Sequence, residues 1–143
     1  MNKLIYSTVL VASLTACGGE KVVLHAQPPQ SADIQVTPLE VYIGGKKLWV
    51  RLQVTNTSPT MLVIQRDLMT AHLPSGQTVG RAMGTYGLHD PYVLPPGSAH
   101  LVYVEFAEEG FHWRDQPSAQ VDFAGAVTRN GQPVAVPPFL VTR

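Results

Sequence analysis

Few residues in this chain could do chemistry, and they are scattered. There is one cysteine, Cys17, and there are five histidines: His25, His72, His89, His100 and His112. Common metal motifs bring two ligands together within a few residues, and no two of these histidines are spaced that way. His89 and Asp90 are adjacent, but neighbours on a strand point to opposite faces. Met61, Met69 and Met83 could offer soft sulfur ligands, yet their wide separation fits core packing better. Ser98 lies two residues before His100 without the Gly-x-Ser-x-Gly turn that exposes a serine nucleophile. Glu108 and Glu109, with Asp115 nearby, could work as a carboxylate pair on a glycoside. Adjacent acids ahead of Gly110 more commonly solvate a turn. No cofactor, metal ligand set or catalytic constellation is expected, and the chain does not read as an enzyme.

Cys17 has a more informative neighbourhood. Met1-Asn2-Lys3 supplies one positive charge, and "LIYSTVLVASL", Leu4 to Leu14, follows without any charge. Small residues Thr15 and Ala16 come next. A basic start, a short apolar core and a small-residue exit describe a secretory signal peptide, too short to span a bilayer as a helix. Leu14-Thr15-Ala16-Cys17 resembles the lipobox of bacterial lipoproteins. The resemblance implies that the Cys17 sulfur takes a diacylglycerol through a thioether, and that a signal peptidase then cuts between Ala16 and Cys17. A thiolate is the nucleophile such a transfer needs. Two or more acyl chains anchor a protein stably where one does not. With its only cysteine lipidated, the domain would rely on its core without a disulfide.

The elements that must position the other residues read as β. The 143 residues allow one ordinary domain. Ten basic and ten acidic residues cancel, so charge gives no pull toward nucleic acid. Twelve prolines and twelve glycines fall between short apolar runs, which argues against long helices. "KLWVRLQV", Lys47 to Val54, alternates, with Leu48, Val50, Leu52 and Val54 on one face and Lys47, Trp49, Arg51 and Gln53 on the other. "HLVYVEF" puts Val102, Val104 and Phe106 on one face. "IQVTPLEVYI", Ile34 to Ile43, reads as one strand bent at Pro38, or two. "MLVIQ" from Met61, "AQVDFAGAV" from Ala119 and "VAVPPFLV" from Val134 are further strands. Turns are expected at Gly44-Gly45, Asn56 to Pro59, Pro74 to Gln77 and Pro95 to Ser98. The strongest turn signal is Asn130-Gly131. Asn56-Thr57-Ser58 also matches an N-glycosylation acceptor, which in a bacterial chain is simply a turn.

The pattern predicts an all-β fold, a single antiparallel β-sandwich of about seven strands. "LWVRLQVTNTSPTMLVI" and "LPPGSAHLVYVEF" resemble strand and turn segments of immunoglobulin-like domains in bacterial envelope proteins. The cysteine pair and tryptophan of antibody domains are absent as a set. The expected organisation is a signal peptide over 1–16, a lipidated Cys17 with a tether over 17–32, and the Ig-like domain over 33–143. Val22-Val23-Leu24 could add an edge strand to that domain.

Two loops draw attention for binding. Glu108 to Pro117 holds Phe111, His112, Trp113 and Arg114 in succession, and aromatics with arginine are what binding hot spots use. The favoured reading of this loop is that Phe111 and Trp113 close one end of the sandwich, with His112 and Arg114 on the other face and Arg114 the more exposed contact. Val79 to Gly97 is long and glycine-rich and carries Tyr86 and Tyr92. The reading is a non-enzymatic lipoprotein of the bacterial envelope, held outside the cytoplasm by lipid on Cys17. It would bind or brace another envelope protein or polymer. The alternatives are a carrier of a small ligand or metal using the loop histidines, and a hydrolase.

Overall fold

The structure, a computed structural model, describes residues 20–21, 31–82, 91–123 and 125–143. The expected signal peptide, the lipobox Leu14 to Cys17, and Val22 to Leu24 lie outside the described residues, as do His25, Met83, Tyr86 and His89.

The fold is all-β. The strands are β1 (Glu20–Lys21), β2 (Ile34–Ile43), β3 (Leu48–Asn56), β4 (Leu62–Ile64), β5 (Thr70–His72), β6 (Thr78–Gly80), β7 (Tyr92–Leu94), β8 (Ala99–Phe106), β9 (Ser118–Asp122), β10 (Val127–Arg129), β11 (Gln132–Pro133) and β12 (Phe139–Thr142). Among the described residues the helical segments are two short 3₁₀ turns, Arg66–Leu68 and Trp113–Asp115. Every pairing is antiparallel, in three sheets ordered β1-β2-β3-β8, β11-β10-β4-β7 and β12-β9-β5-β6.

The first sheet is built from the longest strands, and its inner face follows the expected alternation. Leu48, Val50, Leu52 and Val54 of β3 have no exposed surface, and Val102, Val104 and Phe106 of β8 are buried beside them. Segment 34–43 is one strand with a bulge rather than two. Pro38 pairs with Leu52 and Glu40 with Arg51, so Leu39 is the extra residue. The bulge has a purpose visible in the sequence. Ile34 and Val36 lie at even positions, Val41 and Ile43 at odd ones, and all four are buried. A one-residue insertion resets the period-two alternation, so both halves turn their apolar side chains inward. The hairpin β2–β3 turns at Gly44, whose N–H donates to the Lys47 carbonyl at 2.9 Å.

The other two sheets lie in line. Segments 62–72 and 118–129 each run through both, pairing as β4 with β10 and as β5 with β9. Between the two pairings β4–β5 is interrupted by the Arg66–Leu68 turn and β9–β10 by residues 123–126. The Gln65 N–H still bridges to the Ala126 carbonyl at 2.8 Å. Of the expected runs only Ala119 to Val127 is cut in two, as β9 and β10; the rest of the rise from about seven strands to twelve among the described residues is the short strands β1, β5, β6, β7 and β11. Gly125, with φ of +82°, lies in the second break. Val134 to Pro138 carry no strand, because Pro137 and Pro138 have no N–H for a ladder, and pairing resumes at Phe139.

The turn signals hold. Arg129 pairs with Gln132 around Asn130 (φ 49°) and Gly131 (φ 76°), the two successive left-handed residues of a tight hairpin. At the other end β1 pairs Glu20 with Ile43 and Lys21 with Tyr42, so two residues of the span 17–32 join the sheet. The first and third sheets meet where Arg81 pairs with Phe106 and the Ala82 N–H donates to the Glu105 carbonyl at 2.7 Å. One cluster of buried apolar residues draws on all three sheets.

Candidate functional site

Alternation that buries one face of β2, β3 and β8 necessarily presents the other. On the outer face, register places Tyr42 opposite Trp49 and Trp49 opposite Glu105. The next rows set Glu40 opposite Arg51 opposite Tyr103, then Thr37 opposite Gln53 opposite Leu101. Tyr42, Trp49 and Tyr103 therefore form a diagonal row across three strands, each half-buried. The Trp49 and Tyr103 ring centroids are 5.7 Å apart with planes tilted 37°. The charges on this face pair among themselves. Lys47 Nζ lies 3.1 Å from Glu105 Oε1, and Arg51 Nη2 lies 3.3 Å from Glu40 Oε1. Glu105 Oε2 and Arg51 Nε are buried without a hydrogen-bond partner among the described residues. An orphan acceptor and an orphan donor thus lie on either side of the ring row, which is costly unless something completes them.

The 108–117 loop behaves differently. Trp113 has no exposed surface, and its backbone N–H donates to the Gly45 carbonyl at 3.0 Å, closing the loop onto the β2–β3 turn. Phe111 is half-buried and meets the indole edge-on, with centroids 5.0 Å apart. His112 and Arg114 are exposed. Of the four successive residues, Trp113 caps the core, Phe111 leans on it, and His112 and Arg114 offer surface.

The remaining candidates do not gather. His72 bridges strands: its Nδ1 lies 2.9 Å from Thr78 Oγ1, and its Nε2 lies 3.2 Å from Thr70 Oγ1 and 3.6 Å from Asp122 Oδ2. This clips β5, β6 and β9 together on an open surface. His100 is on β8 and His112 in the loop, and no group of three metal-ligating side chains occurs among the described residues. The Ser98 hydroxyl donates to the Pro95 carbonyl at 2.7 Å, a turn contact. Glu108 and Glu109 are exposed, and Glu108 accepts from Gln77 Nε2 at 3.2 Å. An open apolar groove lies along Phe123, Val134, Val136 and Pro137 with Asp122 at its edge.

Two polar residues are structural anchors: Arg66, which sequence reading did not single out, and Asn56, which it read only as a turn residue. Arg66 is fully buried at the break between β4 and β5. Its Nη1 donates to the Tyr103 carbonyl at 2.8 Å, and its guanidinium lies 4.8 Å from the Tyr92 ring centre. Asn56 is also fully buried. Its amide donates to the carbonyls of Thr60 (2.7 Å) and Leu94 (2.8 Å), and its oxygen accepts from the Ser58 N–H (2.9 Å) and hydroxyl (2.7 Å). The Asn-x-Ser stretch is thus a buried turn hub with no room for a glycan.

The outer row itself was only half legible. Alternation put Trp49 and Arg51 outward, but only the registers of β2–β3 and β3–β8 bring Tyr42 and Tyr103 beside them. No family model matches the chain, and no curated protein and no solved structure matches it either.

Proposed function

We propose that the chain is a lipid-anchored protein of the bacterial envelope. Its one immunoglobulin-like sandwich would bind or brace another envelope component and carry out no reaction. The anchor rests on the sequence: a charge-free run from Leu4 to Leu14 leads into Leu14-Thr15-Ala16-Cys17. The domain reading is supported by antiparallel sheets around a common core and by its tight hairpins. Binding is carried by one observation, the outer face of β2, β3 and β8, where half-buried aromatics sit among charges that pair with each other. His112 and Arg114 give the second exposed contact.

The two ends of this reading are close together. Glu20 pairs with Ile43 only three residues after Cys17. At the reach of an extended chain that is about 10 Å from the lipid, which would hold this end of the sheet at the membrane surface.

The anchor is tested by growing cells with a fatty-acid analogue and following the chain. Wild type should take up label, and Cys17→Ser should not and should escape lipoprotein processing. Equal labelling of the two would reject the anchor.

A further inference from the structure

We infer that the outer face of β2, β3 and β8 is a binding platform for a neutral, extended, β-linked glycan chain. The inference deepens the binding reading above and rests on it, but it does not need lipid on Cys17.

Size decides first between a protein and a smaller partner. The rows from Gln35-Thr55-Ala99 to Tyr42-Trp49-Glu105 span three strands and about seven residues. At about 4.8 Å between strands and about 3.4 Å per residue, that is an area of about 350 Å². A stable protein interface buries about 800 Å² on each side, so this face is too small to hold a folded partner alone. It suits a single oligosaccharide chain.

Charge decides next. Lys47 with Glu105 and Arg51 with Glu40 neutralise each other. The face therefore offers no net charge to an acidic peptide, a phosphate or an anionic surface. It offers hydrogen-bonding groups of both kinds: Glu40 and Glu105 accept, Arg51 and Lys47 donate, and Gln53 does both. Glu105 Oε2 and Arg51 Nε are buried and are not themselves contacts; Glu40, Lys47 and Gln53 are the more open groups of the face. A sugar hydroxyl is at once donor and acceptor and can meet any of these.

The rings decide the shape. Tyr42, Trp49 and Tyr103 form a row, and the 5.7 Å between the Trp49 and Tyr103 centroids is close to the advance of one pyranose in an extended chain. Aromatic rings give an apolar face to the C–H side of a pyranose while its hydroxyls reach the flanking polar groups. The 37° tilt between the rings requires the chain to turn as it advances, which rotation about each glycosidic linkage allows. A curled α-linked chain would not keep its sugar faces along the row.

The test titrates the full chain, in detergent micelles, with a β-1,4-linked N-acetylglucosamine hexamer and, separately, an α-linked glucose hexamer. Calorimetry gives affinity. Tryptophan emission reports the site, because Trp113 has no exposed surface and Trp49 does. The β-linked hexamer should bind and change the emission, and the α-linked one should bind at least about tenfold more weakly. Trp49→Ala should weaken the β-linked hexamer by about tenfold or more with its thermal transition retained, and Leu140→Ala, on another sheet, should bind like wild type. Should Trp49→Ala fail to fold, Gln53→Ala supplies the same comparison and should weaken binding several-fold.

No response of wild type to the β-linked hexamer overturns the proposal, as does unchanged binding in the folded variant. A photoreactive side chain at position 53 separates the two readings. Cross-linking to an envelope protein without hexamer binding would remove the glycan and keep the binding reading. Neither cross-linking nor hexamer binding would remove both.

Discussion

The two tryptophans of the chain sit in surroundings of opposite design. Trp113 belongs to a loop, yet it is driven wholly inside, held by its backbone N–H to the Gly45 carbonyl and by the edge of Phe111. Trp49 belongs to the most regular strand of the molecule, yet it stays half outside, beside Tyr103 and Glu105. Element type therefore does not decide which aromatic is structural. What decides is whether the sheet's alternation has already filled the interior. On β3 the inward positions are taken by Leu48, Val50, Leu52 and Val54, and Trp49 has nowhere to go but out. At the open end of the sheets nothing fills the gap until Trp113 arrives.

The sharpest way to break this contrast is on β3 itself. Val54→Asp would bury an unpaired carboxylate and should cost several kcal/mol, enough to unfold a domain whose total is about 5–15 kcal/mol. Gln53→Asp, one residue away and exposed, should melt like wild type. Chemical denaturation of the pair reads the register directly, and equal midpoints would contradict it.

Next comes the direct exchange. Trp113→Ala should lose about 3–5 kcal/mol, the usual cost of removing a large buried aromatic. Trp49→Ala should lose about 1 kcal/mol, since much of its ring already meets water. Thermal melts that rank the two the other way would reverse the assignment of core and surface.

The same contrast holds for amides. Asn56→Ala removes the side-chain partner of the Leu94 carbonyl and of the Ser58 N–H, while the Thr60 carbonyl keeps the Ser58 hydroxyl, so urea denaturation should show a loss of about 2–3 kcal/mol. Gln53→Ala should leave stability within about 0.5 kcal/mol of wild type.

The smallest effect is at the hairpin. Gly131→Ala must hold a Cβ at a φ of 76° and should cost about 1 kcal/mol. A shift in melting temperature with no change in binding would keep this end of the molecule apart from the outer face.

Much of this was readable from residue order, for identifiable reasons. The alternation in Lys47 to Val54 states both faces of β3, and Asn130-Gly131 states the β10–β11 turn, because each is a local preference written in consecutive residues. The bulge at Leu39 was half written: Pro38 signalled irregularity, and the change from even to odd apolar positions needed one extra residue. The break at Gly125 and the loss of pairing after Val134, through Ala135 to Pro138, were less visible, because apolar runs look continuous until a partner strand fails to continue. Arg66 was hidden for a different reason. Its burial depends on Tyr92 and on the Tyr103 carbonyl, which reach it from distant parts of the chain. The row of Tyr42, Trp49 and Tyr103 is of the same kind, since two registers must be known before the rings can be placed together.

The pairing of β3 with β8 also sets a pace for folding. The β2–β3 hairpin can close early, because its strands are joined by the short turn at 44–47. β8 can join only after the chain between, which includes β4 to β7, has been laid aside. Topologies that wait on such distant partners fold over milliseconds to seconds rather than microseconds. During that wait the apolar row of β3 is uncovered, and the chain is at its most prone to aggregate. The exposed charges of Glu40 and Arg51 on the opposite side of the same hairpin are then its main protection against sticking to a neighbour.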